Sequence, residues 1–258
     1  MFSKDRITSL LTHSLPEIEL HETIDSTNLR CKTLAEAHAP EGTLVIAGQQ
    51  TAGRGRLGRT FFSPAGTGLY MSLLLRPAIP PEEALSITTC AAVCVSEAIE
   101  AVSGRKTGIK WVNDIYLDGR KVCGILTEAA FTPDGSALQY AVLGIGVNVA
   151  SPEGDFPPEL TSIAASVFGD PGEDMRPQLA AEIVNRFFGC YPRLREKEFW
   201  QAYRDRLFLR GQPVQILWGS EKGSGICLDV DRDFRLLVQR EDGSVQAVST
   251  GEVSVKPV

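Results

Sequence analysis

Three arginines alternate with glycines in the stretch GRGRLGR, residues Gly53 to Arg59, which we call the arginine loop. Guanidinium groups bind carboxylates and phosphates through paired hydrogen bonds, and glycine lets the backbone approach a ligand closely. The whole chain has a formal net charge of −6, so a local basic cluster is not a by-product of composition. A solvated basic loop is the alternative interpretation. We expect Arg54, Arg56 and Arg59 to bind an anion.

The glycine spacing of the arginine loop also matches two phosphate-binding motifs. Gly53, Gly55 and Gly58 fit the G-x-G-x-x-G pattern of dinucleotide-binding proteins, and the stretch through Thr60 differs from a P-loop at Arg59. Both motifs need a helix after the glycines, but one proline and two glycines lie between positions 64 and 68. No Asp or Glu follows before position 77, where a dinucleotide fold needs one. Both interpretations are therefore excluded.

A second group of polar residues occurs in KWVND, Lys110 to Asp114, with Lys121 beyond it. The Asp118-Gly119 pair predicts a hairpin in which residues 115–117 run antiparallel to 120–122. Lys121 would then reach the same ligand as Lys110. Surface lysines and an ordinary Asn-Asp turn are the alternative, but beside the arginine loop these groups resemble phosphate-handling residues.

Several predicted elements position these groups. A helix begins after Asp25, Ser26 and Thr27, where Ser26 can be a simple N-cap. Apolar runs predict three strands: one that ends at Gln50, a second formed by LYMSLLL and a third formed by LQYAVLGIGVNV. A long helix is expected from Pro81 to Gly104.

The C-terminal third has a different pattern. SPEGDFPPEL, residues 151–160, predicts an irregular, mobile loop, and helices are expected over roughly 176–191 and 194–207. From Gly211 five short strands follow, which predict a small separate barrel. We therefore expect domains at 1–209 and 210–258.

Bulk composition limits the function classes. The 258 residues are 43% hydrophobic and 22% charged, and the acidic balance argues against broad nucleic-acid binding. The six cysteines form no C-x-x-C pair, and Cys90 and Cys94 are expected to be buried thiols on one helix face. A content of only three histidines argues against a His-rich metal site. The first twenty residues hold no apolar run of signal-peptide or membrane-span length, so we expect a cytoplasmic protein with no membrane partner.

The ordered series QTAGRGRLGR, KWVNDIYLDGRKVCGIL and GIGVNV, with IDSTN upstream and the five-strand tail, resembles the catalytic module of biotin protein ligases. The resemblance covers nearly the whole chain. It implies an α+β fold, with a mixed β-sheet and flanking helices as in class II synthetases, followed by an SH3-like β-barrel.

The resemblance also implies a reaction in two steps. ATP and biotin first give biotinyl-5′-adenylate and pyrophosphate, with Mg²⁺ on the triphosphate, and a lysine of a biotin carrier domain then attacks the adenylate. The carrier protein of acetyl-CoA carboxylase is the expected partner, and sheet edges in this fold can pair into a homodimer. A lipoyl or octanoyl ligase of the same fold and a non-catalytic biotin-binding regulator are the alternatives.

Matching motifs carry the family's site residues onto this chain. Catalytic roles are implied for Lys121, Lys110 and Arg56, and no protein metal ligand is expected. Residues implied for biotin are Ser26, Thr27, Asn28, Gln50, Arg54, Gly55, Arg56, Lys121 and Gly124. Residues implied for ATP and the adenylate are Arg56, Arg59, Phe61, Lys110, Asn113, Asp114, Lys121 and Asn148. The arginine loop would close over the adenylate, with its glycines allowing the motion.

Two departures from the family pattern matter. Val112 stands where the family usually has proline, which should loosen the turn without removing a ligand group. About 25 residues precede IDSTN, too few for the helix-turn-helix domain of bifunctional members. We therefore expect neither operon repression nor a nucleic-acid partner.

Overall fold

The computed structural model describes residues 3–152, 155–169, 172–218, 221–249 and 253–257. Within these residues, seven strands form one sheet in the order β1-β2-β3-β7-β6-β5-β4. The strands are β1 (Ile18–His21), β2 (Leu44–Ala47), β3 (Gly68–Leu75), β4 (Gly108–Lys110), β5 (Asp114–Leu117), β6 (Arg120–Phe131) and β7 (Leu138–Asn148). β1 runs parallel to β2, and the other neighbours are antiparallel. The predicted mixed sheet is confirmed.

Helices cover both faces of this sheet unequally. They are α1 (Lys4–Leu10), α2 (Thr27–Glu36), α3 (Leu85–Ser103), α4 (Arg176–Cys190) and α5 (Trp200–Arg206). The large apolar core joins α3 and α4 to one face, whereas α2 packs on β2, β3 and β7 through a smaller cluster that includes Cys31, Val45 and Leu74. The part of the second face that α2 leaves uncovered remains available for a site.

The long helix α3 is apolar on nearly every side and is mostly buried. Its length and composition would also suit a membrane span, but a buried core helix has the same pattern. Gly104 ends the helix with φ 69°, which is a left-handed conformation that favours glycine. Cys90 and Cys94 lie buried in it, as predicted.

The hairpin between β5 and β6 forms as the sequence predicts. Asp118 and Gly119 have φ 47° and 77°, a pair of positive values that a tight two-residue turn requires. Leu117 pairs with Arg120, and Tyr116 pairs with Lys121. From this position opposite Tyr116, the Lys121 side chain reaches Asp114 at the start of β5.

The described part of the C-terminal region contains a five-stranded antiparallel sheet in the order β11-β10-β9-β8-β12. Its strands are β8 (Pro213–Trp218), β9 (Glu221–Val230), β10 (Leu236–Gln239), β11 (Val245–Val248) and β12 (Val253–Pro257). The five predicted short strands are therefore confirmed. Phe234, between β9 and β10, is fully buried and stacks on Phe199, so this sheet packs against the rest of the chain.

Some elements differ from expectation. The helix predicted over 194–207 is wrong in its first part: a 3₁₀ segment, Tyr191–Glu196, ends at Lys197, whose left-handed φ of 52° prevents a continuous helix. α1 and β1 were not predicted, because both are short and half-exposed, with little periodicity. The described part of 151–160 is irregular, as expected, with residues 153–154 outside the described ranges.

Candidate active site

A pocket of about 200 Å³ opens on the sheet face beside α2. Paired glycines of β6 and β7, Gly124 and Gly146, form its floor. Fourteen sequence-predicted residues line it: Ser26, Thr27, Asn28, Gln50, Arg54, Gly55, Arg56, Arg59, Phe61, Lys110, Asn113, Asp114, Lys121 and Gly124. The fold thus brings together groups that are up to about a hundred positions apart in the sequence.

The glycines of the floor are required by close packing. A Cβ on Gly146 would lie 2.6 Å from Cε1 of Phe61, and one on Gly124 would lie 3.1 Å from Cε2 of the same ring. A Cβ on Gly144 would overlap the Asn28 side chain. The side chains of Asn28, on α2, and of Phe61, just after the arginine loop, therefore lie directly on the sheet backbone.

The arginine loop forms a narrow turn. Arg54 and Thr60 are bridged, and the Gly55 amide donates a 2.7 Å hydrogen bond to the Arg59 carbonyl. Leu57 at the tip has φ 56° and a side chain that is 71% exposed. The loop's three arginines and the exposed Leu57 all belong to the lining of the pocket.

Two positions of this loop favour glycine for packing or for backbone conformation, apart from any role in loop motion. A Cβ on Gly53 would overlap the Phe61 carbonyl oxygen, so that position needs glycine for packing. Gly58 has φ 72°, which favours glycine for the turn itself. The expectation that these glycines serve motion alone is incomplete, and closure of the loop stays a prediction.

Arg56 connects the loop to the KWVND turn. Its Nη1 donates a 3.1 Å hydrogen bond to Oδ1 of Asn113, whose Nδ2 donates a 2.7 Å bond to the Ile125 carbonyl. Burial lowers the pKa of the Arg56 guanidinium, since desolvation disfavours its charge. Arginine nevertheless stays protonated in proteins, so the pocket contains a poorly solvated cation.

Lys121 and Lys110 supply further positive charge. Lys121 Nζ lies 2.7 Å from Oδ1 of Asp114, and Asp114 is paired with Lys110 across β4 and β5. Lys110 Nζ lies 5.6 Å from the centroid of the Tyr116 ring, a cation–π contact. Asp114 thus forms an ion pair with Lys121, while Lys110 lies opposite it on the neighbouring strand.

The opposite end of the pocket is neutral and hydrogen-bonded. Oε1 of Gln50 accepts from the Thr27 amide (2.9 Å) and hydroxyl (3.1 Å), and Gln50 Nε2 donates to Ser63 Oγ (3.0 Å). Ser26 precedes α2, but its side chain forms no capping bond, so the simple cap expected as its alternative role is absent.

Sequence reasoning missed Glu128, Lys32 and Ser72. Glu128 Oε2 accepts a 2.8 Å bond from Asn28 Nδ2, and Oε1 accepts a 2.6 Å bond from Lys32. Ser72 Oγ donates to Asn28 Oδ1 at 2.6 Å. The available signal was a lone glutamate in the apolar run GILTEAAF, at a position that faces the same side as Gly124.

Asn148 lies at the end of β7 but not among the residues that line the pocket. Its Nδ2 donates a 3.1 Å hydrogen bond to the Ala165 carbonyl. Its nucleotide contact therefore stays a prediction.

The turn at Val112 is well packed. Val112 is buried, its carbonyl accepts a 3.1 Å bond from the Tyr203 hydroxyl, and the Trp111–Val112 peptide is cis. Valine in place of the family's proline therefore leaves a turn that is held by buried contacts.

Within the described ranges, no group of three or more His, Cys, Asp or Glu side chains is arranged to hold a metal ion. Asp114 is a carboxylate that lines the pocket, and Mg²⁺ is commonly bound by one or two carboxylates together with substrate phosphates. The donor set therefore suits a Mg²⁺ ion that arrives with a nucleotide rather than a protein-held metal.

Comparisons with known proteins agree with this geometry. The Biotin/lipoate A/B protein ligase family matches residues 20–148. The biotin–[acetyl-CoA-carboxylase] ligase of Paracoccus denitrificans is 30% identical over 239 residues, which are 89% of this chain and 96% of that protein. The bifunctional ligase/repressor BirA of Bacillus spizizenii is 41% identical over 199 residues. That match covers 77% of this chain, and the chain spans only 57% of the Bacillus protein.

A solved structure extends the similarity to the fold. The biotin protein ligase of Aquifex aeolicus, in complex with biotin and ATP, superposes with a TM-score of 0.78 at 29% identity. The match covers 95% of this chain and all of the Aquifex chain. The sequence motifs, the mixed sheet and the pocket agree with these matches, and the chain belongs to the biotin/lipoate A/B protein ligase family.

Proposed function

We propose that this chain is a biotin protein ligase, which activates biotin with ATP to biotinyl-5′-AMP and transfers the biotin to a lysine of a carrier domain. The observation that carries the proposal is the pocket in which the arginine loop and the Lys110–Lys121 hairpin meet the Thr27–Gln50 pair. Its cationic end suits phosphates, and its neutral end suits an uncharged ring system. The similarity to ligases named for biotin supports the same choice.

The first step joins two anions. A carboxylate oxygen of biotin attacks the α-phosphorus of ATP, a P–O bond forms, and pyrophosphate leaves. Fixed cations near the reacting atoms lower the repulsion between carboxylate and phosphate. Arg56, held by its hydrogen bond to Asn113, and Lys121, which pairs with Asp114 in the resting pocket, are the cations proposed for this role.

The second step is attack of a neutral lysine amine on the carbonyl carbon of the mixed anhydride. The new C–N bond forms as the C–O bond to phosphate breaks, AMP leaves with the negative charge, and the amine proton is released to solvent. The same cations stabilise that leaving phosphate. A loop that covers the adenylate would exclude water, and the arginine loop, whose residues line the pocket, is proposed to be that loop.

A Mg²⁺ ion supplies charge neutralisation on the triphosphate when it is bound. Asp114 is the pocket carboxylate that would contact it, although Lys121 already pairs with the same side chain. Release of that pair would free Lys121 for the carboxylate–phosphate junction.

The neutral end is proposed to hold the biotin ring. Thr27, Gln50 and Ser63 form a connected chain of hydrogen bonds that fixes the Gln50 amide. Fixed hydroxyl and amide groups distinguish a ligand with ring N–H and C=O groups from a plain aliphatic acid, because an unmatched buried polar group is costly.

Narrower expectations belong to the same proposal. The carrier protein of acetyl-CoA carboxylase is the proposed partner, and the cytoplasm is the proposed location.

The C-terminal five-stranded sheet is proposed to be an SH3-like barrel, with the domain boundary between residues 209 and 210. A homodimer through the outer edge of β6 is proposed because, among the described residues, no strand pairs with that edge beyond Gly124. Absence of nucleic-acid and membrane partners stays a prediction.

One assay tests the function. The purified protein is incubated with ATP, Mg²⁺, biotin and a biotin carrier domain, and the carrier's mass is measured. A mass increase that requires both biotin and ATP supports the proposal. Transfer of lipoate or octanoate instead of biotin, or no transfer at all, contradicts it.

A further inference from the structure

Glu128 lies on β6 behind the neutral end of the pocket, with a side chain only 18% exposed. Its two oxygens serve different partners. Oε2 accepts from Asn28 on α2, whereas Oε1 accepts from Lys32, one turn further along the same helix, and lies 3.6 Å from Arg54 Nη2. One carboxylate therefore joins α2, β6 and the first arginine of the arginine loop.

The Asn28 side chain has little freedom. Its Nδ2 donates to Glu128 and, at 3.4 Å, to the Leu126 carbonyl, while its Oδ1 accepts from Ser72. It lies against Gly144, where no Cβ could fit. An amide that contacts an acceptor on one side and a donor on the other has one favoured orientation. Glu128 is the charged member of this set and therefore its strongest constraint.

Glu128 is ionised in this setting. Burial raises the pKa of a carboxyl, but hydrogen bonds from Lys32 and Asn28 outweigh burial, and the net effect lowers the pKa of Glu128. An ionised oxygen forms shorter and stronger bonds than a neutral one, which agrees with the 2.6 Å distance to Lys32.

We infer that Glu128 is a positioning residue for biotin, which acts by fixing the Asn28 amide and the Arg54 end of the arginine loop. This inference rests on the proposed function, since it concerns the same pocket. Asn28 and Arg54 line the pocket, whereas Glu128 does not. Glu128 therefore acts on biotin through these two residues. At the proposed nucleotide end of the pocket, the carboxylate that pairs with Lys121 is Asp114 and not Glu128. The effect of Glu128 should therefore fall on biotin and spare ATP.

The test substitutes Glu128→Gln, which keeps the size of the side chain and removes its charge. Biotin affinity is measured by titration calorimetry without ATP, and KM for ATP is measured by pyrophosphate release at saturating biotin. We expect the biotin Kd to rise about tenfold, since hydrogen bonds to a charged partner are among the stronger ones. The KM for ATP should change less than about twofold.

Glu19→Gln is the matched control. Glu19 is 17% exposed and also pairs with a basic residue of α2, Arg30, on the side of the helix away from Asn28 and Arg54. It reports the general effect of loosening α2 on its outer side, and we expect its biotin Kd to match that of the wild type. Equal loss of biotin affinity in both variants would overturn the inference.

A double-mutant cycle identifies the route of the effect. In an Asn28→Ala background, Glu128→Gln should weaken biotin binding by less than about threefold, because the partner that it positions is gone. Full additivity of the two losses would show that Glu128 does not act through Asn28. If Glu128→Gln lacks a thermal unfolding transition, Lys32→Gln removes a charged partner of the same carboxylate. The biotin Kd of Lys32→Gln should then rise about threefold, and an unchanged Kd would overturn the inference.

Failure of the inference differs from failure of the proposed function. If the wild-type protein binds no biotin and forms no adenylate, the proposed function itself is wrong. A wild-type protein that does both, with unchanged biotin affinity in Glu128→Gln, removes only the role of Glu128.

Discussion

The indole Nε1 of Trp111 donates a 2.8 Å hydrogen bond to the carbonyl oxygen of Phe234. This bond joins the turn that precedes Asn113 and Asp114 to the C-terminal sheet, across 123 positions of the sequence. Phe234 is fully buried between Phe199 and Tyr203, and Tyr203 in turn binds the Val112 carbonyl. The C-terminal sheet therefore supports the proposed nucleotide end of the pocket from behind.

Trp111→Phe should weaken this support. The variant leaves the buried Phe234 carbonyl without a partner, which costs about 1–3 kcal/mol in the free energy of unfolding. We also expect a higher KM for ATP and an unchanged biotin Kd. Trp200→Phe is the control, because its indole donates an equivalent 2.8 Å bond to Asp231 away from the pocket. An equal rise in KM for ATP in both variants would contradict the specific role of Trp111.

Lys121→Ala should severely slow adenylate formation while the fold persists. The variant removes a fixed cation from the proposed carboxylate–phosphate junction, and a loss of about 100-fold or more in the pyrophosphate release rate is expected. Lys106→Ala serves as the control, since Lys106 is 93% exposed. Unchanged pyrophosphate release in Lys121→Ala would remove this lysine from the mechanism.

Arg56→Gly should let the activated intermediate escape. The substitution removes the guanidinium that bonds to Asn113 and so frees the loop from the turn. We expect biotin to appear on lysines of an unrelated bystander protein, as detected by mass spectrometry, whereas Arg56→Lys should label fewer of them. A variant that retains biotinyl-adenylate as long as the wild type does would show that the loop is not a cover.

Two glycine substitutions should have opposite signs. Gly189 lies inside α4, and a Cβ added there would meet no neighbouring atom within 4 Å, so Gly189→Ala should stabilise the fold by about 0.5–1 kcal/mol. Gly144→Ala would force the new Cβ onto Asn28 and should destabilise the fold by about 1–3 kcal/mol. Urea unfolding of both variants measures this, and equal effects would contradict the close packing on β7.

The Glu19–Arg30 pair should make stability depend on acid pH. The hydrogen bond from Arg30 lowers the pKa of Glu19 from 4.5 to about 2, against the opposing effect of burial and with help from His21. A carboxyl with a depressed folded-state pKa stabilises the fold above its unfolded pKa, and this stabilisation disappears as pH falls through the folded value. The difference in unfolding free energy between wild type and Glu19→Gln should therefore shrink from pH 4.5 to pH 2. A constant difference over that range would contradict the assignment.

Local patterns were sufficient for much of the chain. The Asp118-Gly119 turn, the β-branched run of β2 and the Pro81-to-Gly104 helix each carry a strong local signal, and each element formed. Two boundaries were wrong: β2 ends at Ala47 rather than at Gln50, and α3 begins at Leu85, after a short 3₁₀ segment at Pro81–Glu83. The break at Lys197 carried no such signal, because a left-handed lysine depends on tertiary packing rather than on local propensity.

By itself, the sequence determined which chemical groups this protein possesses: an arginine loop, two lysines flanking a hairpin, and polar residues at the start of a helix. It could not determine which side chains become hydrogen-bond partners of these groups. Only the folded sheet places Glu128 against Asn28, or Phe234 behind Trp111, because partners about a hundred positions apart meet through strand register and helix packing. Residue types and spacing thus indicated the chemistry, whereas the tertiary structure decided which side chains hold the reacting groups in position.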